Sequence, residues 1–217
     1  MAVVKADVVA VTGPVQLCAG VEGGSEAAVY MLREVFEAED MEGVLFVDAA
    51  NAFNNLNRKV ALYNIQYLCP AVSKILISCY RSKISLYVSG RVLYSEEGTT
   101  QGDPLAMTMF AVAIMPLIKA VQIKNTVQEW FADDAASGGY LRCLRKWWNL
   151  LVSVGPKFGY FPNAQKTLLL TKPEKLAEAQ EVFKDSAVNI TTEGKRYLGG
   201  ALGSEAFSNT LSQTQVA

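Results

Sequence analysis

The sequence predicts an α+β fold, an antiparallel sheet packed on helices, and three observations carry that expectation. Helix-period and strand-period apolar stretches succeed one another along the chain. A hydrophobic content of 51% over 217 residues is enough to bury a sizeable core. No internal repeat and no linker interrupts the pattern, so a single α+β unit is expected.

Taken in order, Ser25 is placed to cap a helix running to about Ala38, with Ala28, Met31, Leu32, Val35 and Phe36 on its apolar face. Gly43 to Asp48, "GVLFVD", is a buried strand that ends on a carboxylate. Arg58 to Cys69 is helical, Pro70 stops it, and Ala71 to Tyr80 forms a second helix. Alternation around Ser89-Gly90 makes Ile84 to Glu97 a β-hairpin. Gly98 opens the loop "GTTQGDP", and Pro104 suits the first turn of a long apolar helix to Ile118. Val127 to Ala132 and Ala135 to Gly138 are two short strands with Asp133 and Asp134 at the tight turn between them. Leu141 to Val154 is an amphipathic helix whose Trp147 and Trp148 belong to the core. Thr167 to Leu170 is a further strand, and the tail from Ser208 to Ala217 has no pattern.

Composition removes several chemistries. The chain contains no histidine, which eliminates Ser-His-Asp and Cys-His nucleophiles, histidine-ligated zinc and histidine acid-base catalysis. The cysteines Cys18, Cys69, Cys79 and Cys143 are scattered without a Cys-x-x-Cys pair, which predicts reduced core thiols rather than a zinc site or disulfides. No leader is evident, and the run from Leu105 to Ile118 is shorter than the ~20 residues of a membrane span. An intracellular protein, nuclear or cytoplasmic and without a membrane partner, is expected. The net charge is −1, but its distribution is uneven. Met1 to Asn55 holds nine acids and two bases, Leu56 to Ser95 holds six bases and no acid, and Tyr140 to Lys175 holds seven bases against Glu174 alone. Two basic segments around an acidic centre could track phosphates, or could be solvated helix faces that never meet.

Asp48 and Asp133 lie far apart in sequence, yet each follows a buried strand. If those strands are neighbours, Asp48, Asp133 and Asp134 converge. Clustered carboxylates repel unless cations neutralise them, and oxygen ligands without histidine or thiolate favour two Mg²⁺ or Mn²⁺ ions, the arrangement used in phosphoryl transfer. Taken alone, adjacent aspartates are better explained as turn chemistry.

Five segments in order resemble the palm motifs of reverse transcriptases, in particular those of retrotransposons lacking long terminal repeats and related retroelements. They are "LFVDAANAFNNLNR" (Leu45 to Arg58), "GTTQGDPLAMTMFAVAI" (Gly98 to Ile114), "FADD", "GYFPNAQKT" and "KRYLGG" (Lys195 to Gly200). The lead-in Pro14 to Phe36 is similar to the segment that precedes that palm. The resemblance implies a polymerase palm with RNA-directed DNA polymerase activity, acting on an RNA or DNA template with primer and on dNTPs. It makes Asp48 and Asp133 the metal-ligating carboxylates, with Asp134 the weaker third. Phe53 becomes the ring that crowds a 2′-hydroxyl, Gln101 and Gly102 the contacts to nucleotide and template, and Lys166 the lysine near the triphosphate. Tyr197, Leu198 and Gly199 become the primer grip.

On this basis residues 1–42 are a partial fingers and palm lead-in, 43–200 the palm, and 201–217 an unstructured or truncated tail. The expected fold is a palm with incomplete fingers and no thumb, so the isolated fragment is expected to be inactive, and two alternatives stay open: a non-catalytic retroelement remnant, or another palm-type nucleotidyl enzyme such as a cyclase. The cyclase lacks support because its Gly-Gly-acid loop is absent. Oligomeric state is not specified by any feature of the sequence.

Overall fold

The structure is a computed structural model and describes residues 4–100, 102–204 and 207. Its centre is β1 (Gly43–Val47), every residue of which is buried. That strand is the middle of a five-stranded sheet ordered β4-β5-β1-β6-β7, with β4 at Thr126–Phe131, β5 at Asp134–Gly139, β6 at Leu168–Thr171 and β7 at Asn189–Thr191. Pairing is antiparallel except between β6 and β7. The sheet is therefore mixed and not wholly antiparallel as the sequence pattern suggested. Helix α9 (Leu176–Phe183) is the reason: it carries the chain back across the sheet, and such a crossover delivers the next strand parallel.

Side chains alternate along β1, so the two faces of the sheet hold different cores. Leu45 and Val47 join one cluster with Phe110, Trp130, Trp147 and Leu169. That face is covered by α1 (Lys5–Thr12), α4 (Arg58–Leu68), α5 (Pro70–Tyr80), α6 (Ala106–Ala113) and α8 (Leu141–Val154), all of which contribute residues to it. Val44 and Phe46 join the other cluster with Leu32, Ala136, Leu170 and Tyr197. There the cover is α2 (Gly24–Glu37) and the hairpin of β8 (Gly194–Tyr197) and β9 (Gly200–Gly203). Each large apolar side chain buried this way stabilises the fold by roughly 1.5–3 kcal/mol relative to exposure. Truncating Phe46, which also lies 5.1 Å from the Tyr197 ring, would cost about 3–5 kcal/mol.

Trp130, Trp147 and Trp148 are all buried, in keeping with a core role. The long apolar helix is in fact two, α6 and then α7 (Met115–Ala120), because Pro116 cannot donate to the helical ladder and its ring crowds the preceding turn. Helix α2 starts at Gly24 after Gly23 in the left-handed region, and the Ser25 hydroxyl bonds Glu26 Oε2 at 2.9 Å instead of capping backbone. The expected hairpin forms as β2 (Ile84–Val88) and β3 (Arg91–Ser95), turning through Ser89 and Gly90, both with positive φ, as a two-residue hairpin turn prefers. All four cysteines are free, and Cys79 is exposed rather than in the core.

Candidate functional site

Register brings the aspartates together. Val47 pairs with Ala135, so Asp48, one step beyond, and Asp134, one step before, leave the sheet at the same end. Phe131 pairs with Asp134, which makes Ala132-Asp133 the two-residue turn of the β4–β5 hairpin. Strand alternation puts Asp134 on the side of Ala136 and Asp48 on the side of Phe46, the face covered by the β8–β9 hairpin.

The turn that presents Asp133 is strained and firmly held. Ala132 has φ +57°, a left-handed conformation that L-residues adopt only at a cost. Gln16, fully buried, answers it with both ends of its amide: Ala132 N–H donates to Oε1 at 2.8 Å, and Nε2 donates to Ala132 O at 3.0 Å. The flanking residues 15 and 17 hydrogen-bond Trp130 as a short parallel bridge, covering the outer edge of β4. From beneath, the buried Tyr160 donates its hydroxyl to Asp133 O at 2.9 Å.

Asp48 is held by the segment that carries Lys166. Asn163 N–H donates to Asp48 O at 2.8 Å, and Ala50 N–H to Phe161 O at 2.9 Å. This pairing leaves Lys166 Nζ 3.9 Å from Asp48 Oδ1. Burial, then the charges of Asp133 and Asp48, push Asp134 up to about 6, while Lys195 on β8 draws it down. Asp133 is also raised, by burial and then by Asp48. Loss of hydration is the main cause of both shifts, and repulsion between the carboxylates adds to it. Among the described residues no three acidic, cysteine or histidine side chains close on one point as a finished metal cage. The three aspartates nevertheless form an all-oxygen donor set at one sheet end; that chemistry fits a hard divalent cation.

The remaining expected residues fall around this end in different ways. Phe53 lies on α3 (Ala52–Asn55), half-buried, its ring stacked on Phe110 at 4.5 Å. Its carbonyl accepts Thr99 N–H at 2.8 Å, which ties it to the Gly98–Gly102 loop. That loop is fastened by Tyr80, whose hydroxyl donates to Asp103 and accepts from Thr100 N–H, and by Arg58 Nε donating to Gly98 O at 3.0 Å. Gly102 is exposed with φ +86°, and a Cβ there would meet no protein atom within 4 Å. Glycine at that position satisfies the backbone and leaves open space over the loop. Gln101 lies outside the described residues. Leu198 and Gly199 form the β8–β9 turn with φ +46° and +86°, lining a cleft of about 340 Å³ against α2. Tyr197 is buried and donates to Glu129 Oε2 at 3.0 Å.

Three residues of this end are not evident from sequence. Gln16 and Glu129 are fully buried polar side chains, and Tyr160 is a buried tyrosine whose hydroxyl has its partner across the fold. Each is a polar group set in an apolar run, "PVQLC", "VQEWF" and "GYF", which is the one signal the sequence offers. The exposed Phe161, by contrast, keeps an open ring.

No protein-family model matches the chain, and no curated protein matches it. Its fold is similar to solved telomerase structures. An apo telomerase from Candida tropicalis, truncated from its C-terminal domain, superposes with a TM-score of 0.66 at 12% identity, over 93% of this chain and 43% of that one. Telomerase from Candida albicans, in complex with a fragment of telomeric RNA, gives 0.66 at 12% over 95% of this chain and 36% of that one. A second apo structure from Candida tropicalis gives 0.66 at 11%, over 93% and 38%. The chain thus spans less than half the length of these neighbours, and what it shares with them is the fold. Among the described residues no helix is long and apolar enough to cross a membrane.

Proposed function

We propose that the chain is the palm of a reverse transcriptase, an RNA-directed DNA polymerase of a retrotransposon lacking long terminal repeats or a related retroelement, and that it joins dNTPs to a primer 3′-hydroxyl on an RNA or DNA template. The observation that carries this is the register that brings Asp48 beside Asp133-Asp134 at one end of the sheet. Three further features support it: Lys166 beside Asp48, the β8–β9 hairpin over the same face, and the likeness in fold to telomerase.

In this account Asp48 and Asp133 hold two Mg²⁺ or Mn²⁺ ions, with Asp134 a weaker partner. Cations held there would supply the charge that lowers the pKa of the attacking hydroxyl and stabilises the leaving oxygen. The protein's own groups do the rest. Lys166 neutralises or protonates the departing pyrophosphate. Phe53 bounds the sugar pocket and excludes a 2′-hydroxyl by contact. Gln101 and Gly102 lie against nucleotide and template, and the Tyr197–Gly199 turn holds the primer end through Leu198 and Gly199, with Tyr197 buried on Glu129 as its anchor. Alignment of this kind contributes ~7–11 kcal/mol to lowering a barrier, which is why the Gln16 and Tyr160 clamps on the Asp133 turn bear on rate.

Primer extension on the purified chain, with RNA and DNA templates and Mg²⁺ or Mn²⁺, tests the proposal. Joined to a fingers segment and thumb from a related element, the chain is expected to show metal-dependent extension that vanishes in Asp133→Asn with far-UV circular dichroism unchanged, and by itself little or none. Extension that survives Asp133→Asn contradicts it, and an Asp133→Asn chain that unfolds assigns the aspartate to structure.

A further inference from the structure

The β2–β3 hairpin projects from the body as a sheet of its own and leaves large side chains uncovered. Tyr87 is 81% exposed and Tyr94 55%. Two-stranded hairpins are marginal in water and seldom keep such a surface without use. The register sorts this surface. Ser85 pairs with Tyr94 and Tyr87 with Val92, so both tyrosines stand on one face, one strand repeat apart. Lys83 belongs to the same face by alternation, and its Nζ lies 4.1 Å over the Tyr94 ring.

The root of the hairpin adds charge. A cleft of about 300 Å³ there is lined in part by Lys59, Arg81 and Lys83, with Glu96 as its acidic member. Among the described residues neither these three cations nor Arg91 has a carboxylate within 4 Å. Arg58 is different: it is buried, and its guanidinium donates to Ser95 O at 2.8 Å and Glu97 O at 2.7 Å, fixing the hairpin to the start of α4. The result is a pair of exposed rings beside a cationic cleft on a firmly rooted arm.

We infer that this hairpin face is a binding site for single-stranded nucleic acid: bases stack on Tyr87 and Tyr94, and the backbone phosphates run into the Lys59–Arg81–Lys83 cleft. Charge complementarity selects that occupant over an apolar protein surface, since the cleft sets Lys59, Arg81 and Lys83 against Glu96 alone. Aromatic rings flanked by cations are the common device for holding an unpaired strand without sequence preference. The inference deepens the polymerase proposal, on which it rests for the choice of a nucleic-acid partner, by naming where an unpaired strand lies. The site needs none of the aspartates.

The test uses the full chain with fluorescein-labelled (dT)12 and (rU)12 in EDTA, read by anisotropy, and with 5-iodouridine-substituted (rU)12 for photo-crosslinking. Tyr87→Ala/Tyr94→Ala should weaken binding about tenfold or more. Tyr87→Phe/Tyr94→Phe should retain it, because the stacking ring is kept. Lys59→Ala/Arg81→Ala should weaken it and flatten the salt dependence by about 0.7 for each phosphate no longer neutralised. Crosslinks should map to residues 83–94, and binding should persist in EDTA even if metal-dependent extension is absent from every variant. Three results would overturn the assignment: no binding by the unaltered chain, unchanged affinity in the alanine pair, or a shift of that pair from dimer to monomer in sedimentation, which would make the face a self-association surface.

Discussion

Gln16 grips the backbone of Ala132 at both polar atoms, its side-chain amide standing where the peptide of a neighbouring strand would be. The residues are 116 apart in sequence, and the bond pair holds the one left-handed alanine on which the Asp133 turn depends.

Removing that amide leaves a buried N–H and a buried C=O unpaired, each worth about 1–3 kcal/mol. Gln16→Ala should therefore destabilise the chain by roughly 2–4 kcal/mol in urea unfolding. Ala132→Gly removes the steric cost of positive φ, about 1–2 kcal/mol. Introduced into Gln16→Ala, it should recover about 1 kcal/mol after the entropy of glycine is subtracted. A double-mutant cycle with no coupling between the two positions would show that the amide does not hold the turn.

Glu129 is fully buried, accepts only from Tyr197, and has Oε1 without a partner among the described residues. Burial first, and then the charge of Asp134, push its carboxyl up to about 8 despite the Tyr197 hydrogen bond. The folded state therefore keeps this proton where the unfolded chain, with an ordinary value near 4.5, gives it up. Below about 4.5 both states are protonated and the group costs nothing. Stability falls as pH rises from there, and the loss is complete above about 8. Glu129→Gln removes that dependence. In urea unfolding it should be more stable than the unaltered chain at about pH 8.5, by an amount on the order of a few kcal/mol, with little difference at about pH 4.5. The same difference between the two proteins at both pH values would mean that Glu129 is ionised in the fold.

Phe53 sits between two duties, core packing on Phe110 and a wall of the proposed sugar pocket. Phe53→Val keeps an apolar group on Phe110 and opens the wall, so incorporation of UTP relative to dTTP should rise at least about tenfold in primer extension, because a steric barrier discriminates more strongly than a small difference in affinity. A ratio that does not move would leave Phe53 as a core residue only.

What the sequence made legible follows from the range of the forces involved. β1 was visible because five consecutive apolar residues are buried on both faces, and the β4–β5 hairpin because two short strands flank the aspartate pair, although the turn is Ala132-Asp133 and Asp134 already belongs to β5. Once both were seen as buried strands, the meeting of Asp48 and Asp133 needed only that they be neighbours. β7, β8 and β9 are three or four residues each, "NIT", "GKRY" and "GALG", too short and glycine-rich for a period to register. The parallel entry of β7 depends on α9, whose place on the sheet is a tertiary fact. Gln16 and Tyr160 act on the Asp133 turn across 116 and 27 residues of chain, which no local pattern encodes.

The central claim is that Asp48 and Asp133 hold divalent cations for nucleotidyl transfer, and Mn²⁺ titration followed by electron paramagnetic resonance tests it most directly. With primer, template and a dNTP present, the unaltered chain should take up two Mn²⁺ ions that Mg²⁺ displaces, and Asp48→Asn/Asp133→Asn should lose both at the same concentrations. Equal Mn²⁺ uptake by the double variant, or none by the unaltered chain, would contradict the account.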